Sequence, residues 1–82
     1  MKVKDLLDTY GVLKKEFVGR RIMIVKIIHQ EDEYLEGRTG RLTYPFGAFT
    51  GAVGVWLDKK DGLTHDVCNL WYSDDIMFIK EE

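Results

Sequence analysis

The stretch LEGRTGRLTYPFG, Leu35 to Gly47, decides how this chain is read. Gly40, Leu42 and Tyr44 fall on one side of a period of two, and Thr39, Arg41 and Thr43 on the other, which is the alternation of a β-strand. Pro45 ends that strand, because proline has no amide to give to a ladder. Gly37 and Gly40 suit a tight turn into a curved strand, where the backbone needs either a positive φ or a close approach. Arg38 and Arg41 are the optional part: they suit contacts to a phosphate backbone, or pairing with Glu36 and the acidic residues just upstream.

Working outward, the chain divides into short elements separated by turn residues. RRIMIVKII, residues 20–28, is rich in β-branched side chains and is apolar on both faces, which predicts a first strand covered on both sides. HQEDEY, residues 29–34, reads as a solvated acidic loop. In AVGVWLD, residues 52–58, Val53, Val55 and Leu57 point inward and Trp56 lies on the opposite face with Gly54. KKDGLTH carries Asp61-Gly62, the signature of a hairpin turn. DVCNLWY predicts a fourth strand with Cys68 inward, SDD a one-turn 3₁₀ corner, and IMFIK a short fifth strand.

The first 17 residues differ. Val3, Leu6, Leu7, Tyr10, Leu13 and Phe17 recur at helical spacing, with Lys2, Asp5, Asp8, Lys14 and Lys15 on the other side. This predicts an amphipathic helix over 1–17 that lies on the sheet as its lid. Gly11 counts against it, since glycine inside a helix costs about 1 kcal/mol relative to alanine.

Composition bounds the rest. The chain has 82 residues, 45 % of them hydrophobic, with eight glycines and one proline. That is one globular domain, 1–82, with enough apolar content for a core. No apolar run reaches the roughly 18 residues of a membrane span, the N-terminus lacks the continuous apolar stretch of a secretory signal, and the lone Cys68 fits a reducing compartment. A soluble, cytoplasmic protein is expected. The net charge is −2, yet residues 1–26 carry +4 and the remainder −6.

Five strands in this order, with an acidic loop after the first, a glycine turn into the second, a hairpin between the third and fourth and a tight corner before the fifth, resemble the SH3-like small β-barrel. The likeness spans about residues 18–80. VGRRIMIVKI, LEGRTGRLTY, VGVWLDKKDG and DDIMFI together are similar to short SH3-like domains of bacterial and phage proteins that carry a KOW-like strand, glycine, strand turn, with Gly37 or Gly40 in the glycine's place. The resemblance implies a mainly-β fold, a five-stranded barrel with the N-terminal helix packed on it, and a non-catalytic binding module.

Chemistry points the same way. His65 and Cys68, with His29 as a third, fall short of a tetrahedral metal set, and Asp58, Asp61 and Asp66 lack the spacing of a calcium loop. Asp74-Asp75 reads as a turn cap rather than an acid/base pair, and no phosphate-cradling glycine motif is present. No catalytic residue, metal or cofactor is expected. Aromatic residues are too many for a small barrel to bury. Phe46, Phe49 and Trp56, with Tyr34, are the candidate groove for a protein partner, although Trp56 and Trp71 also read as packed beneath the helix, whose apolar stripe needs a partner, and for Trp56 that reading comes first.

A protein partner is therefore expected first, with inhibition or regulation of a nucleic-acid-handling complex of a bacterium, phage or mobile element as one form of it. The alternative is KOW-like nucleic-acid or ribonucleoprotein binding through Arg38, Arg41, Arg20 and Arg21. No membrane contact is expected, and the protein is read as a monomer or a weak homodimer through an open strand edge, the short fifth strand being the candidate.

Overall fold

The computed structural model describes residues 1–59 and 66–80. Five strands form one antiparallel sheet: β1 (Arg21–Lys26), β2 (Thr39–Thr43), β3 (Ala52–Leu57), β4 (Asp66–Trp71) and β5 (Asp75–Phe78), in the order β4-β3-β2-β1-β5. The strands fall where alternation places them. The Asp61-Gly62 turn and His65 lie outside the described residues.

The sheet curls without closing. β4 and β5 sit at opposite edges, yet only residues 72–74 join them. A flat five-stranded sheet would hold its edges about 19 Å apart, and so short a link reaches only about 14 Å. Curvature must make up the difference. Among the described residues β4 and β5 share no ladder, so the expected closed barrel is not formed.

The N-terminal segment lies at this opening, and it is not a helix. The Met1 ammonium donates to the Ile76 carbonyl at 3.0 Å and the Ile76 amide donates to the Met1 carbonyl at 2.8 Å. The Val3 amide reaches Asp74 and the Lys4 amide reaches Tyr72. Only single 3₁₀ turns occur here, at Val3–Leu6 and Lys15–Phe17. Asp8 and Gly11 break the helical pattern between them. The Asp8 carboxylate accepts from the amides of Tyr10 and Val12, the Gly11 amide donates to the Asp8 carbonyl, and Gly11 takes φ +75°. This is a tight turn closed by a Leu7 to Leu13 bridge. The spacing that mimics a helical stripe still delivers Val3, Leu6, Leu7 and Leu13 to the core.

That core lies on the concave face of the sheet. Ile22, Ile24, Leu42, Val53, Val55, Leu57, Leu70 and Ile76 pack against the N-terminal apolar side chains and against Ile27 and Leu35 from the β1–β2 connection. The connection holds a 3₁₀ turn, Gln30–Leu35, where a plain loop was expected. Tyr44, placed on the side of Leu42 by alternation, instead lies beyond the end of β2 and is exposed. The corner before β5 is a bonded turn from Trp71 to Asp74 rather than a 3₁₀ element. No helix among the described residues is long and apolar enough to cross a membrane.

Candidate functional site: the outer face of the sheet

The opposite, convex face holds the side chains of the other parity. Register sets them in rows. Asn69, Gly54 and Thr43 form one, Val67, Trp56, Arg41 and Arg21 the next, and Thr39, Met23 and Met77 a third. Trp56, the penultimate residue of β3, keeps 49 % of its surface exposed. It lies on the face away from the N-terminal cover, which overturns the reading that packs it beneath a helix.

Half of this face is roofed by the connection 44–51, and glycine makes the roof possible. A Cβ on Gly54 would collide with the Tyr44 carbonyl and press on Phe46. The bare backbone there lets Phe46 settle over the strand. Asn69 then clamps it from β4, accepting from the Phe46 amide at 2.9 Å and donating to the Phe46 carbonyl at 3.0 Å. Phe46 meets Trp56 edge-on, with centroids 5.3 Å apart, and Phe49 meets Trp71 in the same manner at 5.4 Å. Such pairs add about 0.5 to 1.5 kcal/mol beyond simple burial. The result is a fixed band of four rings, of which Trp56 and Phe49 are about half exposed.

Of the predicted groove residues, Phe46 and Trp56 are thus brought into contact, Phe49 joins the same face through Trp71, and Tyr34 does neither. Tyr34 lines a separate open cleft of 340 Å³ with Glu36, Arg38, Thr39, Asp58 and Lys59. Trp71, Val67 and Asn69 belong to the band and were missed as site residues. Alternation of DVCNLW about an inward Cys68 would have placed all three on the face of Trp56.

The four arginines do not form one stripe. Arg21 and the Thr39 hydroxyl both donate to Asp58 Oδ2, the latter at 2.6 Å. Arg38 donates to the Asp58 carbonyl at 3.0 Å and Arg41 to the Gly19 carbonyl at 3.0 Å. Arg20 lies elsewhere, its guanidinium 4.4 Å from the centroid of Phe78. The Thr39 hydroxyl, aided by Arg21 and Arg41, holds the Asp58 carboxyl below its usual range against the effect of partial burial.

Other reactive groups are engaged or quiet. Burial, reinforced by Asp66, pushes the Cys68 thiol up to about 12, so the nucleophilic thiolate is scarce at neutral pH. Asp74 is buried and caps amides of Trp71 and Ile28. Among the described residues no three His, Cys, Asp or Glu side chains gather as a metal set.

Compared with protein-family models, curated proteins and solved structures, the chain finds no match. The ring band and its neighbouring arginines are the features from which a function is built.

Proposed function

We propose that this protein is a non-catalytic docking module that binds a partner protein through the outer face of its sheet, centred on Trp56. One observation carries this reading: a tryptophan about half exposed on the central strand β3, braced edge-on by Phe46, with Val67 and Arg41 directly beside it on the neighbouring strands. A Trp fixed in place loses little entropy on binding, and Trp and Arg are the residues that dominate protein interfaces. The strand order, with β1 between β2 and β5 and a short turn before the last strand, supports an SH3-like description of the curled sheet.

The test is a selection of displayed short random peptides on the wild-type protein. Peptides that bind it and lose binding on Trp56→Ala and Phe49→Ala, with both variants folded, are expected. Peptides indifferent to both substitutions would move the docking surface away from the ring band.

Arg21 and Arg41 beside an exposed indole favour a second reading, single-stranded nucleic acid stacked on Trp56. Its signature is binding of labelled RNA or DNA that weakens steeply between about 50 and 200 mM salt and in an Arg21→Ala, Arg41→Ala double variant.

A further inference from the structure

The turn that leads into β2 lies off the ring band and builds the cleft beside Tyr34. Leu35 to Arg38 close it, the Arg38 amide donating to the Leu35 carbonyl at 3.0 Å. Gly37 takes φ +89° there, and apart from its chain neighbours no heavy atom lies within 4 Å of where its Cβ would stand. β1 anchors the turn: the Gly37 amide donates to the Ile24 carbonyl at 2.7 Å, and the Ile24 amide to the Arg38 carbonyl at 2.8 Å. The 340 Å³ between this turn and the end of β3 is the volume of a small-ligand site.

Its side chains divide into engaged and free groups. The Asp58 carboxylate is engaged by the Arg21 guanidinium and the Thr39 hydroxyl. Glu36 is held in place through Oε2, which accepts from the Ile27 amide at 2.9 Å, while its Oε1 has no hydrogen-bond partner among the described residues. Arg38 is fixed by one bond to the Asp58 carbonyl at 3.0 Å, and among the described residues neither Arg38 nor Lys59 is in an ion pair. Tyr34, 73 % exposed, is the only ring in the lining. With Asp58 matched by Arg21, two cations and one carboxylate remain.

We propose that this cleft binds a nucleoside monophosphate, with the phosphate on Arg38 and Lys59, the base on the Tyr34 ring and a ribose hydroxyl donating to Glu36 Oε1. A guanidinium fixed in place presents its donors as a planar fork that matches phosphate, and any base stacks on an exposed aromatic face. Gly37, with no side chain, leaves the backbone open to close approach. Charge narrows the class. A free amino acid would bring an ammonium to a lining already in positive excess, whereas a phosphate of charge about −1.5 to −2 with neutral hydroxyl donors meets both cations and the carboxylate. The inference goes beyond the docking function, since neither Trp56 nor Phe49 lines the cleft.

The test titrates adenosine monophosphate into the isotope-labelled protein and follows amide chemical shifts. The amides of Gly37, Arg38 and Thr39 are expected to move while those of Val67 and Asn69 stay. Affinity is expected to fall about tenfold in Arg38→Ala and in Tyr34→Ala, and adenosine or inorganic phosphate alone is expected to bind at least about tenfold more weakly than the nucleotide. If Arg38→Ala does not fold, Lys59→Ala, at an exposed residue, reports loss of the phosphate contact. No shift at millimolar nucleotide, or shifts centred on Trp56 and Val67, overturns the site. Phosphate or adenosine binding as tightly as the nucleotide overturns the ligand class. A terminally phosphorylated trinucleotide tells the two sources of this ligand apart: affinity equal to that of the mononucleotide assigns the free nucleotide, and higher affinity still lost in Arg38→Ala assigns the end of a strand. None of these outcomes alters peptide binding through Trp56, so this site and the docking face fail separately.

Discussion

Trp71 and Asp74 are bonded to each other twice: the Asp74 amide donates to the Trp71 carbonyl at 2.8 Å, and the Trp71 amide donates to the Asp74 carboxylate at 2.7 Å. The second carboxylate oxygen accepts from the Ile28 amide at 2.8 Å, and the Asp74 carbonyl accepts from Val3. One buried side chain therefore fixes the end of β4, the start of the β1–β2 connection and the N-terminal segment at the place where the sheet must turn from one edge to the other.

Replacing Asp74 with alanine strands two amides at this junction. An unsatisfied buried donor costs about 1 to 3 kcal/mol, and Ile28 is partly solvated, so Asp74→Ala is expected to destabilise by about 2 to 3 kcal/mol. Asp74→Asn keeps one good acceptor and should cost about half as much. Urea denaturation midpoints check both, and equal effects would mean that the carboxylate's two bonds are not separate contributions.

Gly11 distinguishes the observed turn from the helix that the spacing suggests. In a helix, Gly11→Ala would stabilise by about 1 kcal/mol. Here the residue has φ +75°, and a Cβ would sit 3.0 Å from the Gly51 amide nitrogen. The substitution is therefore expected to destabilise by about 1 to 2 kcal/mol. A raised melting temperature would contradict the turn.

The same residue shows how far the sequence could be read. Strand positions were legible because alternation in TGRLT and AVGVWL has a single solution once Leu42 and Val55 are inside, even though the roof over Gly54 buries both faces of β3 from Ala52 to Val55. The N-terminal reading failed because i, i+3, i+4 spacing is also produced by a single 3₁₀ turn, Val3–Leu6, followed by a DTYG turn that folds Leu13 back beside Leu7, and periodicity does not separate them. Asp8 and Gly11 at the first and fourth turn positions are the local signal that does. For the site, Trp56 and Phe46 could be named, but not their meeting. That depends on Gly54 leaving room and on Asn69 reaching across, both relations between strands. Closure of the barrel was overestimated because element order carries no information about whether the two edges bond.

Acid should loosen the protein at two carboxylates. The Asp58 carboxyl is held low chiefly by the Thr39 hydroxyl, and that of Asp75 chiefly by the N-terminal ammonium, with which it forms an ion pair at 2.8 Å. Each folded pKa lies below the unfolded value of about 4, so the unfolded chain binds protons first as pH falls. Their stabilisation is present above that value and is lost as pH drops through the folded pKa. Denaturation midpoints should therefore hold from neutrality to about pH 5 and fall below about pH 4. The Asp58→Asn, Asp75→Asn double variant should fall less steeply, and a profile as steep as wild type would remove both groups from the account.

The free edge of β4 is guarded by its own carboxylates. Register turns the backbone groups of Val67, Asn69 and Trp71 away from β3, and the Val67 amide is capped by Asp66 Oδ1 at 2.9 Å just as Trp71 is capped by Asp74. The edge of β5 differs, because Met1 already pairs with Ile76 there. β4, not the short fifth strand, is thus the edge on which pairing between copies would begin, and the caps leave Asn69 as the intervening amide. Asp66→Ala frees a second donor beside the exposed Val67 side chain. Sedimentation over a range of concentrations is expected to show self-association of this variant above that of wild type, with the thermal midpoint nearly unchanged. Identical sedimentation of the two proteins would mean that the Asp66 cap does not protect the edge.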